Sequence, residues 1–163
     1  MNSLNLTLLE TSPRYEGTCI SFKLQVANQG NTRLLLPYPT LVDLKFRNLS
    51  TSDEATWYTH LFVSSTGSAY ALESRSVREF PLDVRCDEAL DDKKRYHADE
   101  YYRWYLDAPP GEYSVAYHFK VDDDFFDPDS HWRFDQLTTS AAEHSAVPWK
   151  GSLVSNSISV IRK

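Results

Sequence analysis

The chain has little cysteine: Cys19 and Cys86 are the only two in 163 residues. Two thiols cannot build the multi-bridge framework of a small secreted domain, so a reduced pair is expected. Cationic runs are as scarce. The longest is Lys93-Lys94-Arg95, and 17 Lys and Arg against 23 Asp and Glu leave a formal charge of −6. Phosphate backbones are gripped by clustered Lys and Arg, so a nucleic-acid partner is not expected. No apolar run approaches the roughly 18 residues that a membrane-spanning helix needs, and no membrane partner is expected either. The stretch MNSLNLTLLETSPRY has no basic segment followed by a long apolar one, which is what a secretory signal requires. A cytoplasmic location is the default expectation, with export by a signal-independent route left open. In that compartment the sequons at Asn5 and Asn48 lose their meaning.

Catalytic signatures are missing too. There is no GxSxG, glycine-rich phosphate loop, CxxC or HExxH, so nothing in the sequence pre-assembles a nucleophile with its base. Acid pairs of the kind that cleave glycosides are abundant, but abundance is not placement. The five histidines, His60, His97, His118, His131 and His144, form no pair at metal-ligand spacing. The expectation is no cofactor and no enzymatic activity.

What the chain does have is alternation. Leu4, Leu6 and Leu8 share one face of a first strand, and Ile20, Phe22, Leu24 and Val26 share one face of CISFKLQVAN. Val42, Leu44 and Phe46 repeat the pattern, as do Phe80, Leu82 and Val84. In GEYSVAYHFKV, Tyr113, Val115, Tyr117, Phe119 and Val121 lie on one side, with Ser114, Ala116, His118 and Lys120 on the other. The final strand places Val154, Ile158 and Val160 inward. One buried face and one wet face is the mark of antiparallel sheets. Further strands are expected in TRLLLP and TWYTHLFVSS, for eight or nine in all within one domain, residues 1–163. All five glycines fall between these segments, where turns demand unusual backbone angles. Pro81 inside a strand pattern points to an edge strand or a bulge.

Two segments break the pattern. From Cys86 to Ala108, Asp87 can cap a short helix whose acids precede Lys93, Lys94 and Arg95, the order a helix dipole favours. A helical or irregular insertion is expected near 87–105. The second break, Asp122 to Trp149, opens with VDDDFFDPDSHWRFDQ. An EF-hand needs oxygen ligands at alternate positions, a central Gly and a closing Glu. Counting from Asp122 puts Phe126 and Asp127 at the wrong places, and counting from Asp127 brings in His131 and Arg133. A calcium site of another type would draw on Asp122, Asp124, Asp127 and Asp129. The simpler reading is a solvated connection anchored by Phe125, Phe126 and Trp132, since aspartates bond nearby backbone in turns.

PPGEYSVAYHF, a Pro-Gly turn with Tyr113 at the start of a long strand, resembles the tyrosine corner of Greek-key sandwiches. With GTCISFKLQVANQGN and WKGSLVSNSISVI, the chain resembles bacterial immunoglobulin-like β-sandwich domains. The layout is also similar to the intracellular proteinase-inhibitor type, in which a strand ending in Asn-x-Gly opens a long crossover. The resemblance implies an all-β fold, an immunoglobulin-like antiparallel β-sandwich of seven to nine strands. It implies that Tyr113 packs inward with its hydroxyl on upstream backbone. It also implies that the strands of Cys19 and Cys86 are neighbours, so that a bridge is conceivable; two free thiols are the expectation.

Such a scaffold hosts many activities. The aromatic segment YHADEYYRWYLDAPP supplies Tyr101, Tyr102, Arg103, Trp104 and Tyr105, residue types that anchor protein interfaces. Trp132 joins them from the second insertion. The expected function is a non-catalytic module that binds another protein through insertions 86–108 and 122–148. The alternatives are a proteinase inhibitor-like protein, and a carbohydrate- or calcium-dependent module. The same aromatics also have a plainly structural use, as a cap on an open end of the strands.

Overall fold

Side chains that alternate between oil and water force each segment to lay one face against another, and the sheets follow from that demand. The computed structural model describes residues 3–11, 19–59, 69–85, 104–123, 125–126 and 145–162. Among the described residues there are twelve strands: β1 (Leu4–Glu10), β2 (Cys19–Asn28), β3 (Leu34–Pro37), β4 (Leu44–Asn48), β5 (Thr56–Thr59), β6 (Ala69–Leu72), β7 (Val77–Arg85), β8 (Trp104–Asp107), β9 (Gly111–Val121), β10 (Val147–Pro148), β11 (Gly151–Val154) and β12 (Ile158–Arg162). A short 3-10 turn covers Leu41–Asp43.

The fold is all-β. Strands β1, β2 and β7 form one antiparallel sheet in that order. In a second, β9 carries β4 on one edge and β11 and β12 on the other, because β4 and β12 both pair with residues 113–115. β3 lies between antiparallel β6 and parallel β10, and β5 pairs with β8. The inward residues of β1, β2, β7 and β9 join one buried cluster, where Phe22 meets Phe46 edge to face at 5.9 Å. Each large apolar side chain so buried contributes about 1.5–3 kcal/mol.

Pro81 sits as its sequence position suggested. The Ser76 carbonyl accepts from the Asn28 N–H, so even-numbered residues of β7 face β2. The missing N–H of Pro81 therefore falls on the outer edge of the sheet, where it costs no ladder bond. Tyr113 is buried, and its hydroxyl donates to the Pro109 carbonyl at 2.6 Å. Asn28, at the end of β2, is also buried. Its amide donates to the carbonyls of Thr32 and Glu73 and accepts from the Gly30 N–H. Gly30 is required there by close approach: a Cβ would lie 2.7 Å from that of Ser3.

Several expectations need correction. Trp104 and Tyr105, at the end of the insertion expected near 87–105, instead open strand β8, which pairs with β5. The rest of that insertion, 86–103, lies outside the described residues. Val42 belongs to the 3-10 turn rather than to a strand. Among the described residues there are twelve strands where seven to nine were expected; β6, β8 and β10, at two to four residues, are too short to display an alternation.

The last strand is also broken. Val154 pairs with His118 and Ile158 with Val115, so four steps on one strand oppose three on the other. That extra residue is a β-bulge, and a slip of one residue exchanges the faces of a strand. Val154 is accordingly 56% exposed while Val160 is buried. Ser155 fills the bulge: its N–H donates to the Tyr117 carbonyl and its Oγ accepts from the Tyr117 N–H. Asn156 then turns toward β1. Its Oδ1 accepts from the Leu8 N–H at 2.8 Å, and its Nδ2 donates to the Leu8 carbonyl at 3.0 Å.

Asn156→Ala leaves both Leu8 groups without partners and should destabilise the chain by about 1–3 kcal/mol, read from the urea midpoint. Asn156→Asp, which can only accept, should recover part of this. Tyr113→Phe should cost about 1 kcal/mol by the same measurement.

Candidate functional site

The inward face of β7 runs back from Val84 through Leu82 and Phe80 to Arg78. A cation on an apolar face cannot be buried bare, and Arg78 lies where the core opens to solvent. Its guanidinium carbon stands 4.8 Å from the ring centre of Tyr70, 5.3 Å from that of Phe80 and 5.4 Å from that of Tyr38. The three rings touch one another, with centres 5.0–6.0 Å apart. Delocalised charge suits an aromatic face, which attracts it through the ring quadrupole. Tyr38 directly follows β3 and is 38% exposed, whereas Tyr70 on β6 is 5% exposed. The Tyr70 hydroxyl has no hydrogen-bond partner among the described residues. Burial pushes its phenol above the ordinary value, and Arg78 opposes that rise.

The outer face of β2 and β7 is different in kind. Ser21 donates to Asp83, Gln25 donates to Glu79, and Lys23 pairs with Glu79 at 2.9 Å. The Gln25 bond and the Lys23 ammonium hold the Glu79 carboxyl below its usual range. These polar groups satisfy one another, which leaves a solvated face.

A third cluster joins an acid to a buried phenol. The Tyr117 hydroxyl accepts from the Thr40 N–H at 2.9 Å and donates to Asp43 Oδ2 at 3.1 Å, and Thr40 Oγ1 donates to the same oxygen at 2.7 Å. Burial, and then the Asp43 charge, push the phenol upward. A phenol held neutral in this way pins the 3-10 turn to β9, and it is a poor proton donor at neutral pH.

The expected site residues fare unevenly. Trp104 and Tyr105 are the first two residues of β8, opposite Thr59 and Tyr58, so helical spacing does not govern them. Tyr101, Tyr102, Arg103 and Trp132 lie outside the described residues, as do Cys86, Asp124, Asp127 and Asp129. Cys19 stands opposite Arg85 at the start of β2. Asp122 is exposed and held by Lys120 at 2.7 Å. The neighbouring Asp123 accepts from Lys150 through its carbonyl at 2.6 Å. Among the described residues, no group of three or more His, Cys, Asp or Glu is placed to hold a metal ion. Phe125 and Phe126 do anchor the start of the acidic segment, packing against the core with ring centres 5.0 Å apart. His118 faces solvent as expected.

The Arg78 patch was not foreseen, because Tyr38, Tyr70 and Phe80 come from three separate segments. The one sign in the sequence was an arginine in phase with Phe80, Leu82 and Val84. Among the described residues, no helix is long and apolar enough to cross a membrane. The chain matches no family model, no curated protein and no solved structure.

The raised phenols set an alkaline limit. Tyr70 and Tyr117 keep their protons in the folded chain above 10.0 and lose them near 10.0 when unfolded. Their contribution should therefore be constant below pH about 10 and fall as pH rises past it, since the unfolded state then binds fewer protons. Urea midpoints across this range should show the decline, and Tyr117→Phe should make it shallower.

Proposed function

We propose that this chain is a non-catalytic protein-binding module on an immunoglobulin-like β-sandwich. Its partner surfaces lie in segments 86–108 and 122–148 and in the Arg78 patch. Supporting the scaffold are two antiparallel sheets, β1-β2-β7 and β4-β9 with β11 and β12, whose Phe22 and Phe46 rings meet. The Tyr113 bond to the Pro109 carbonyl fits the same architecture.

The observation that carries the binding reading is Arg78 laid against Tyr38, Tyr70 and Phe80 at the surface. Arg and Tyr dominate the energetics of protein interfaces, because they offer large area and directed polar groups together. Rings that hold a guanidinium in place also lower the entropy lost on binding.

Position favours one composite surface and one separate one. Arg78 is opposite Val26, near the Asn28 end of β2. The Asn28 amide reaches the Leu72 carbonyl, Leu72 pairs with Leu34, and the Leu35 carbonyl accepts from Trp149, which stacks on Phe119. Segment 122–148 therefore leaves β9 at the end where Arg78 lies. Segment 86–103 leaves β7 beside Cys19, at the other end of β2, roughly 30 Å away for a ten-residue strand.

The test is affinity capture from the organism's own lysate with the partner identified by mass spectrometry. Tyr38→Ala and Trp132→Ala should abolish capture of a partner that the wild type retains, with melting temperatures unchanged. Capture indifferent to both, and to Trp104→Ala, would remove this reading. Inhibition of a protease by the purified chain would replace it with the inhibitor reading.

A further inference from the structure

Resting on the binding reading above, we infer that Arg78 is a receptor for a carboxylate, the Asp or Glu side chain of a partner polypeptide. Among the described residues, most other cations of this acidic chain are already engaged. Lys23 is paired with Glu79, Arg33 with Glu73, Lys45 with Glu54, Lys120 with Asp122 and Lys150 with Asp123. Arg47 donates to the Ser52 carbonyl and Arg75 to Asn31 Oδ1. Arg78 has no carboxylate partner among the described residues. Its hydrogen bond is a long one, 3.4 Å to the Tyr38 hydroxyl. Among the described residues Arg47 and Arg75 also lack a carboxylate, but each donates to a neutral oxygen, whereas Arg78 is held by three rings with its fork little engaged.

Its surroundings define the ligand. A guanidinium has five N–H donors in one plane, and contact with rings leaves its edge open to an acceptor. A carboxylate matches that fork with two parallel bonds, and a charged acceptor makes them stronger than a neutral one. The Tyr38 hydroxyl beside it can donate a further bond. A phosphate is disfavoured, because a dianion needs several cations and this chain offers one here against a net charge of −6. A chain-terminal carboxylate is usually captured by a nest of backbone N–H groups, whereas the donors here are a side-chain fork and a phenol.

The experiment follows the Arg78 Nε–Hε resonance of the full chain by NMR. The probes are Ac-Gly-Ser-Glu-Ser-Gly-NH2, its Gln counterpart, Ac-Gly-Ser-Gly with a free carboxylate, and inorganic phosphate. The Glu peptide should shift the resonance saturably, and the Gln peptide should bind about tenfold more weakly. Arg78→Lys keeps the charge but not the fork, and should weaken the Glu peptide several-fold while leaving the rest of the spectrum in place. Arg75→Lys should change nothing. Equal binding of the Glu and Gln peptides, or tighter binding of the free-terminus peptide or phosphate, overturns the assignment. If partner capture still depends on Tyr38 in that event, the carboxylate assignment falls alone. If capture depends on none of Tyr38, Trp132 and Trp104, the binding-module reading falls separately.

Discussion

Strand β9 must hide one face along its whole length, and most of the structure is arranged to let it. Tyr113, Val115, Tyr117, Phe119 and Val121 are all buried. They are covered only because β4, β11 and β12 flank the strand while the sheet of β1, β2 and β7 supplies side chains such as Phe22 against Phe46. Hydrophobic burial of this kind is non-directional and sets which faces meet, not where each strand stops.

Register and strand ends are set by polar side chains that take the place of missing backbone. Asn156 presents one donor and one acceptor to Leu8, the same pair a neighbouring strand would present. An exposed row of unpaired N–H and C=O groups invites pairing with another chain, and this amide occupies part of that row on β1. Asn28 does similar work at the far end of β2, Tyr113 at the entry to β9, and the Trp57 indole, which donates to the Leu44 carbonyl at 2.8 Å, beside β4. Gly151 completes the set: at φ +141° its missing Cβ leaves room for the Trp149 ring, 3.2 Å from where that atom would stand. Trp149 can then stack on Phe119 at 5.4 Å.

The Arg78 patch grows from the same constraint. An arginine in phase with Phe80 and Leu82 has to bring its charge to water along an apolar face. The rings of Tyr38 and Tyr70 give it a path and hold it there, so a packing requirement and a binding surface coincide in one side chain. The polar groups on the outer face of β2 and β7 carry no comparable tension, because Lys23 pairs with Glu79 and Ser21 donates to Asp83.

Alternation alone determined the strand character of β1, β2, β7 and β9, the inward identity of their apolar residues, the edge position implied by Pro81 and the inward packing of Tyr113. These follow from local geometry, since successive side chains on a strand point to opposite sides whatever the rest of the chain does. The same local reasoning failed at Trp104 and Tyr105, which pair with β5 as a strand, and at Val154, where the Ser155–Asn156 bulge reverses the faces. The candidate site was legible only as an arginine in phase with Phe80, Leu82 and Val84. Arg78, Tyr38, Tyr70 and Phe80 meet only when β3, β6 and β7 are brought together, and no spacing along the sequence encodes a contact between separate strands. Local alternation told which side chains turn inward; only the packing of one sheet against another decided which of them touch.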